Sequence, residues 1–471
     1  MKILVVNGSP KGKYSVTLQT LNYLAIKFPD CEFDILHAGQ QIKKLERDFS
    51  SAIEKLNSAD LIIFSYPVYT FIAPCQLHRF ISLMKESGAN FSGKFTTQIT
   101  TSKHFYDVTA HKYIEENCAD MGMKVIKGLS ADMDDLTKKE GQKDCVEFFK
   151  YVLWCMENDS FEPVPEKKND FQGAVATVPE VSSEKKAGDI VIVADLQPDD
   201  ALLKAMIDRF SAVCTMKTRI VNIAEYPFKG GCLGCFNCAV SGKCIYKDGF
   251  DDFLRGNIQS ANAIIYAFTI KDHSMGYIFK TYDDRQFCNG HRTVTMGMPV
   301  GYLINGDLQS ERNLQTIIEG RAEVGGNFLC PVAVNDGDVD KAIDRLAISL
   351  DYALENNYTQ PSNFLGVGGM KIFRDLIYLM QGMMKADHKF YKAHGQYDFP
   401  QKHKGRLIAM YLVGALMSSE KLKSKMGNAM NEGMLMPYNK ILENAKKETV
   451  SVTITPENKN VTVESSQNTA E

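Results

Sequence analysis

The sequence predicts an α/β protein built from two doubly wound parallel-sheet domains in tandem, followed by a C-terminal helical segment. Three observations carry this. Short apolar runs alternate with helical patterns from Met1 to about Asn158, which implies a parallel sheet covered on both faces. The alternation restarts near Asp189, and Asn262-Ala263-Ile264-Ile265-Tyr266-Ala267 parallels Ala59-Asp60-Leu61-Ile62-Ile63-Phe64, as in a duplicated fold. From Phe364 to Lys446 the pattern becomes helical and rich in Met.

In the first domain, residues 1–158, strands are expected at Lys2–Asn7, Cys31–His37, Asp60–Ser65, Lys94–Thr100 and Met123–Leu129. Helices are expected at Ser15–Lys27, Ser50–Leu56, Pro74–Glu86, Ala110–Met121 and Lys138–Met156. Ligands of such sheets sit beyond the carboxyl ends of the strands, where strand order reverses. Three loops then converge: Gly8–Thr17, Tyr66–Ala73 and Thr101–Asp107. The first, Gly8-Ser9-Pro10-Lys11-Gly12-Lys13-Tyr14-Ser15-Val16-Thr17, leads from a strand into a helix N-terminus. Its backbone N–H groups, the hydroxyls of Ser9, Ser15 and Thr17, and the charges of Lys11 and Lys13 suit an anion. On the loop alone, an ordinary strand-to-helix turn is an equal reading. It is neither a Walker loop nor the G-x-G-x-x-G fingerprint. Tyr66-Pro67-Val68-Tyr69-Thr70 offers rings suited to a flat heterocycle, or simple packing.

Asn7-Gly8-Ser9-Pro10-Lys11 with Ser15 and Thr17, then Ala59-Asp60-Leu61-Ile62-Ile63-Phe64-Ser65-Tyr66-Pro67-Val68-Tyr69, resembles the NADPH-dependent FMN reductase branch of the flavodoxin-like superfamily. The resemblance implies FMN. Ser9, Lys11, Ser15 and Thr17 would hold its phosphate, and Pro67, Val68, Tyr69 and Thr70 would meet its ring. Thr101, Ser102 and Tyr106 would approach the other edge. Val16 stands where the family usually has Asn.

Residues 159–187, rich in Glu, Lys, Pro and Ser, read as a linker. The second domain, 188–358, is expected to hold strands at Asp189–Ala194, Arg219–Asn222, Ala263–Ala267, Pro299–Ile304 and Asn327–Val334. Its helices are expected at Ala201–Phe210, Ile278–Gln286, Gln309–Val324 and Val339–Asn356. Where the first copy has its anion loop, the second has Asp195-Leu196-Gln197-Pro198-Asp199-Asp200. Three carboxylates there would repel a phosphate dianion, so no FMN phosphate is expected in this copy. Instead, Cys232, Cys235, Cys238 and Cys244 form a C-x2-C-x2-C-x5-C run, the compact spacing of [4Fe-4S] ligation. Free thiols and zinc are the alternatives, although structural zinc normally takes two separated knuckles. This run, with Lys247-Asp248 and Lys280…Asp284-Arg285, resembles the iron–sulfur flavoproteins related to the same reductases. One copy then keeps the flavin and the other the metal centre, packed as an intramolecular pseudo-dimer; a homo-oligomer is also compatible.

The segment 359–446 carries Met370, Met380, Met383, Met384, Met410, Met417, Met426, Met430, Met434 and Met436, a composition suited to adaptable packing. Asp387 to Pro400 is dense in His, Tyr and Asp. It could supply a proton to a reduced substrate or serve as a hydrogen-bonded connection. Residues 447–471 form a polar tail, in which Ser451–Thr455 and Asn460–Glu464 alternate like a hairpin.

Composition bounds the function. With 471 residues, a formal charge of -3, 44% hydrophobic and 24% charged residues, the chain has no polybasic signature, which argues against nucleic acid. Twelve cysteines with no leading apolar segment point to a reducing cytoplasm. The longest strongly apolar run, Leu407–Met417, falls short of a bilayer span. The reading is an FMN oxidoreductase taking electrons from NAD(P)H and passing them to a small-molecule or protein acceptor, through a [4Fe-4S] centre if the cysteines hold one. An electron carrier without turnover and a cysteine-based redox sensor are the alternatives. No side chain stands out as an acid–base catalyst.

Overall fold

A computed structural model describes residues 1–163, 171–180, 184–417, 429–445, 448–454 and 461–467. The chain divides into two compact units, Met1–Tyr397 and Asp398–Glu471.

The first unit holds two parallel sheets of the same design. Strands β1 (Lys2–Asn7), β2 (Glu32–Leu36), β3 (Leu61–Pro67), β4 (Phe95–Ser102) and β5 (Lys124–Val125) lie in the order β2-β1-β3-β4-β5, and β6 (Leu129–Asp132) continues along β4. Strands β7 (Lys186–Ala194), β8 (Met216–Asn222), β9 (Ala263–Thr269), β10 (Pro299–Asn305) and β11 (Phe328–Leu329) repeat the order as β8-β7-β9-β10-β11, with β12 (Ala333–Val334) along β10. Both are the flavodoxin-like 2-1-3-4-5 arrangement, whose order reverses between the first and third strands. The chain is therefore two flavodoxin-like domains in tandem, followed by helices.

In each copy the expected fifth strand is divided in two. At Gly128 a Cβ would lie 2.6 Å from the Gln98 carbonyl oxygen, so the chain bends where only glycine fits. In the second copy Pro331 has no N–H to continue the ladder. A helix at Ala38–Leu45, for which the sequence pattern predicts no element, buries Ala38 and Leu45. The expected helix Ala110–Met121 begins earlier, at Asp107.

Each sheet has its own outer apolar layer: Leu18, Leu21, Leu24, Phe149 and Val152 in the first, Ile207, Phe210, Leu346 and Leu350 in the second. The inner faces share a single core. Leu4, Val6, Phe64, Phe80 and Ile114 are continuous with Val191, Val193, Ile264, Phe268, Phe279 and Leu314. Helix Cys75–Glu86 packs on Gly276–Arg285, and Asp107–Asp120 on Arg312–Gly325. The intramolecular pseudo-dimer is thus held by buried apolar area, the main driving force of association.

Helices Phe364–Leu379 and Lys385–Ala393 complete this unit. Met384, Ile377 and Tyr391 are buried with Ala239, and Met370 and Met380 pack against them. Met383 is exposed. In the second unit, helices Lys404–Met417 and Ala429–Ala445 precede a hairpin in which Ser451 pairs with Glu464 and Val452 with Val463. Met426 and parts of the linker (164–170, 181–183) and of the tail lie outside the described residues. No helix among the described residues is long and apolar enough to cross a membrane.

Candidate functional site

The loop after β1 is tied down from within. Buried Asn7 donates Nδ2–H to the Gly12 carbonyl (2.9 Å), and its Oδ1 accepts the Ser9 N–H (3.1 Å). Gly12 has φ +55, a left-handed conformation that glycine adopts at no cost. Ser15 stands at the N-cap of helix Val16–Lys27, yet its side chain makes no capping bond. The first amides of that helix therefore lack the partner a cap would supply. Ser9, Ser15 and Thr17 are nearly inaccessible to bulk water, at 1–2% exposure, and all three line one cavity. Thr17 Oγ1 lies 2.6 Å from Thr101 Oγ1, joining the first turn of helix Val16–Lys27 to the carboxyl end of β4. Val16 is 43% exposed.

The turn after β3 is held by the other copy. Tyr69 and Ile72 bridge each other's backbones (2.7 and 3.1 Å), leaving Thr70 and Phe71 at φ 47 and 76. Such angles are unfavourable for side-chain-bearing residues and persist only where the surroundings impose them. The clamp comes from helices Gly276–Arg285 and Arg312–Gly325. Lys280 Nζ donates to the Tyr69 carbonyl (3.0 Å) and to Thr70 Oγ1 (2.5 Å), and Arg321 Nη2 donates to the Thr70 carbonyl (3.0 Å). The Thr70 hydroxyl donates to Asp283 (2.6 Å), and the Cys75 N–H donates to Asp284 (2.7 Å). Lys280 and Arg321 also pair with these carboxylates. Burial works to raise Asp283, but Arg321 and Lys280 overcome it and hold that carboxyl below its usual range. Burial wins at Asp284, which is raised.

The cysteine run lies over this turn. A Cβ on Gly234 would come within 1.9 Å of the Tyr69 hydroxyl, and one on Gly231 within 2.1 Å of Cys75 Sγ. The Lys11 ammonium sits 5.4 Å from the Phe236 ring centroid. Arg285 anchors the loop by donating to the Gly230 carbonyl (3.0 Å) and to both oxygens of Asp248 (2.8 Å). Cys232, Cys235, Cys238 and Cys244 line the same cavity as Ser9 and Tyr69. Burial pushes the Cys232 thiol well up and the Cys238 thiol to about 11. Elsewhere, Glu116, His273 and Glu311 bring three metal-ligating atoms within 4.8 Å of one another.

The corresponding place in the second copy is closed by its own side chains. Asp200 caps helix Ala201–Val213 by accepting the Leu203 N–H (3.1 Å), and its carboxylate is also bonded by Thr269 and Asn305. Asp195 accepts from Gln197 (2.6 Å), and burial raises its pKa.

The cavity measures about 430 Å³, within the range of small-ligand sites. It brings together Ser9, Lys11, Ser15 and Thr17 with Pro67, Val68, Tyr69 and Thr70, and with Thr101 and Ser102. Tyr106 is not part of the lining. Its ring packs on Phe71 (4.3 Å between centroids) and against Gly320, where a Cβ would meet it at 2.7 Å. Arg321, Phe287, His291 and Phe373 complete the walls. Sequence reasoning named none of these four as site residues. Only the motif Lys280…Asp284-Arg285 signalled that this part of the second copy mattered.

Residues 1–134 match the family model of the NADPH-dependent FMN reductases. None of the curated proteins matches the chain. Among solved structures, the chain is similar to an NADPH-quinone reductase from P. pentosaceus, with 16% identity, 33% of this chain and 97% of that one covered, and a TM-score of 0.26. It is also similar to general stress protein 14 from Treponema denticola in complex with FMN, at 10% identity, 33% and 98% coverage and a TM-score of 0.26. A third likeness is to a flavodoxin, WrbA-like protein from Agrobacterium tumefaciens, at 14% identity, 33% and 97% coverage and a TM-score of 0.25.

Proposed function

We propose that this protein is an FMN-dependent NAD(P)H oxidoreductase whose single flavin lies between the first copy's loops and the second copy's cysteine run. The observation that carries this is the uncapped start of helix Val16–Lys27. Its buried hydroxyls open onto the cavity that also meets the Pro67–Thr70 turn. An anion bound there takes up the free amides and the helix dipole, and the family match over residues 1–134 makes the phosphate of FMN the fitting anion.

In this reading Ser9, Ser15, Thr17 and Lys11 hold the phosphate, and Pro67, Val68, Tyr69 and Thr70 set the plane of the ring. Thr101 and Ser102 bound the far edge. FMN supplies the transfer of electrons between nicotinamide and acceptor; the protein binds, orients and excludes water. Lys280, Asp283 and Arg321 keep the turn in its left-handed conformation. Cys232, Cys235, Cys238 and Cys244 would ligate a [4Fe-4S] centre on the acceptor side. The shared cavity supports that assignment, and the four ligands match the cluster's needs.

Titrating FMN into the flavin-free protein while following its fluorescence tests the reading. One equivalent per chain is expected to quench, followed by anaerobic bleaching on adding NADPH or NADH. Unquenched FMN would overturn the proposal, and two equivalents per chain would return the second copy as a flavin site. Anaerobic reconstitution with iron and sulfide, comparing the wild type with Cys235→Ser, tests the cluster: loss of its broad visible absorbance in the variant is expected.

A further inference from the structure

We propose that His291 is the proton donor to the electron acceptor and that Asp387, from the C-terminal helical segment, is the residue that positions it. The inference rests on the oxidoreductase reading and names a group that reading lacks. Asp387 is completely buried, and helix Lys385–Ala393 carries it to the second copy's loop after helix Gly276–Arg285. Its Oδ2 accepts two bonds from one residue, the His291 backbone N–H (3.2 Å) and ring Nδ1 (3.0 Å). The approach depends on Gly290, with φ +63, where any Cβ would come within 2.3 Å of Asp387 Oδ1. Tyr391, on the same helix as Asp387, donates its hydroxyl to the His291 carbonyl (3.3 Å). The ring itself is packed edge-on against Phe373, with centroids 5.1 Å apart.

This arrangement fixes both the orientation and the tautomer of the imidazole. A buried carboxylate facing Nδ1 keeps a proton on that nitrogen, so Nε2 is the one that exchanges a proton with the cavity, as an orienting acid arranges for a catalytic histidine. Nε2 has no hydrogen-bond partner among the described residues, and His291 lines the cavity shared by the Pro67–Thr70 turn and the cysteine run. The charged and titratable groups facing the pair are Arg292, whose Nε lies 3.9 Å from Asp387 Oδ1, Tyr391, and the Cys238 thiol and Tyr397 hydroxyl, both raised by burial and then by the Asp387 carboxylate.

The chemistry this serves is reduction of a carbonyl-type acceptor. A hydride equivalent from the nicotinamide reductant forms the new bond to the acceptor and leaves an anionic oxygen. In the doubly protonated ring, with Nδ1–H held by Asp387, the Nε2–H bond breaks as that oxygen takes the proton, giving the neutral reduced product and the neutral Nδ1–H imidazole. The imidazole then recovers a proton from water. An acceptor that takes single electrons without protons does not call on His291.

The experiment compares 1,4-benzoquinone with ferricyanide as acceptors for the FMN-loaded protein. His291→Gln should lower the ratio of benzoquinone to ferricyanide turnover by about 10²-fold, the usual worth of a general acid. Asp387→Asn should lower it by about 10-fold. A second readout needs no flavin: ¹⁵N-histidine NMR of the FMN-free protein, with the His291 signal assigned by its loss in His291→Gln. Protonated Nδ1 is expected in the wild type, and a mixture of tautomers in Asp387→Asn. A benzoquinone-to-ferricyanide ratio within twofold of wild type in an FMN-binding His291→Gln overturns the proposal, as does an unprotonated Nδ1. Should FMN itself fail to bind, the oxidoreductase reading falls, while the NMR result still decides the His291–Asp387 pair. If His291→Gln does not fold, Asp387→Asn and the wild-type tautomer carry the test.

Discussion

The two copies share a strand order and a turn but treat their helix N-termini in opposite ways. Tyr69–Ile72 in the first and Lys271–Ser274 in the second close the same bridged turn, each with two non-glycine residues at positive φ. Each turn is clamped by the other copy. Lys280 and Arg321 hold Thr70, while Ser82 and Asn117 hold Asp272 and Asp120 holds His273. The scaffold is therefore pseudo-symmetric. The sites are not: helix Val16–Lys27 begins uncapped beside buried hydroxyls, and helix Ala201–Val213 begins capped by Asp200. The two copies share the mutual clamp and differ in how the first helix of each begins and in the cysteine run, which only the second carries.

Breaking the clamp should produce the largest effect. Arg321→Ala leaves Asp283, 2% exposed, with Lys280 as its remaining cationic partner. Removing one partner of a buried pair costs about 3–5 kcal/mol. Urea unfolding should show that loss, and FMN affinity should fall with it as the Thr70 turn relaxes. An Arg321→Leu/Asp283→Leu double variant should recover much of the stability, because the buried charges are then removed together.

Next in size is making the first copy resemble the second. Ser15→Asp places a carboxylate where Asp200 stands. It should cap helix Val16–Lys27, adding up to about 1 kcal/mol of stability, and repel the phosphate dianion. FMN affinity should drop by about 10²-fold, roughly 3 kcal/mol, measured by fluorescence quenching. Stability and affinity moving in opposite directions is the signature; a joint fall would mean that the loop was merely damaged.

This difference between the copies was legible in sequence because it is local. Ser9, Ser15 and Thr17 sit within nine residues of one another, and the three carboxylates of 195–200 fall at the matching position. The strand–helix alternation was legible for the same reason, except where Gly128 and Pro331 divide the last strands and at the short helix Ala38–Leu45. The clamp was not legible, since Lys280 and Arg321 act on Thr70 from more than two hundred residues away. Tyr106 shows the complementary failure: an aromatic in the right loop turned toward Gly320, whose missing side chain only the fold reveals. Asp387 was visible as a member of a proton-bearing stretch, but its partner His291 belongs to another domain.

A smaller, pH-dependent effect is expected where the clamp crosses between copies at Glu116, His273 and Glu311. Burial raises Glu116 to about 7, and the flanking Asp120 and Glu311 raise His273 to about 10 against burial. A carboxyl raised in the folded state contributes stability fully present below its unfolded pKa of about 4.3, lost as pH rises through about 7. His273, raised, contributes stability fully present below its unfolded pKa of about 6.5 and lost as pH rises through about 10. Glu116→Gln should therefore match wild type at pH 4.5 and exceed it by about 1–3 kcal/mol at pH 8. Thermal unfolding at the two pH values checks this, with equal gains at both counting against it.

The smallest effect sharpens the comparison most, because it asks whether the second copy's cysteine run rests on the first copy's flavin turn. Gly234 has φ +60 and faces the Tyr69 hydroxyl. Gly234→Ala combines two costs: about 1 kcal/mol for placing a side-chain-bearing residue in the left-handed region, and about 1 kcal/mol for crowding the hydroxyl. Tyr69→Phe removes the hydroxyl and leaves the backbone cost untouched. The double variant should regain about 1 kcal/mol relative to the sum of the single ones. That coupling can arise only if the two loops touch, since residues without shared contacts add independently. Strictly additive changes in unfolding free energy would separate the cysteine run from the turn, and with it the single cavity in which flavin, thiols and acceptor are proposed to meet.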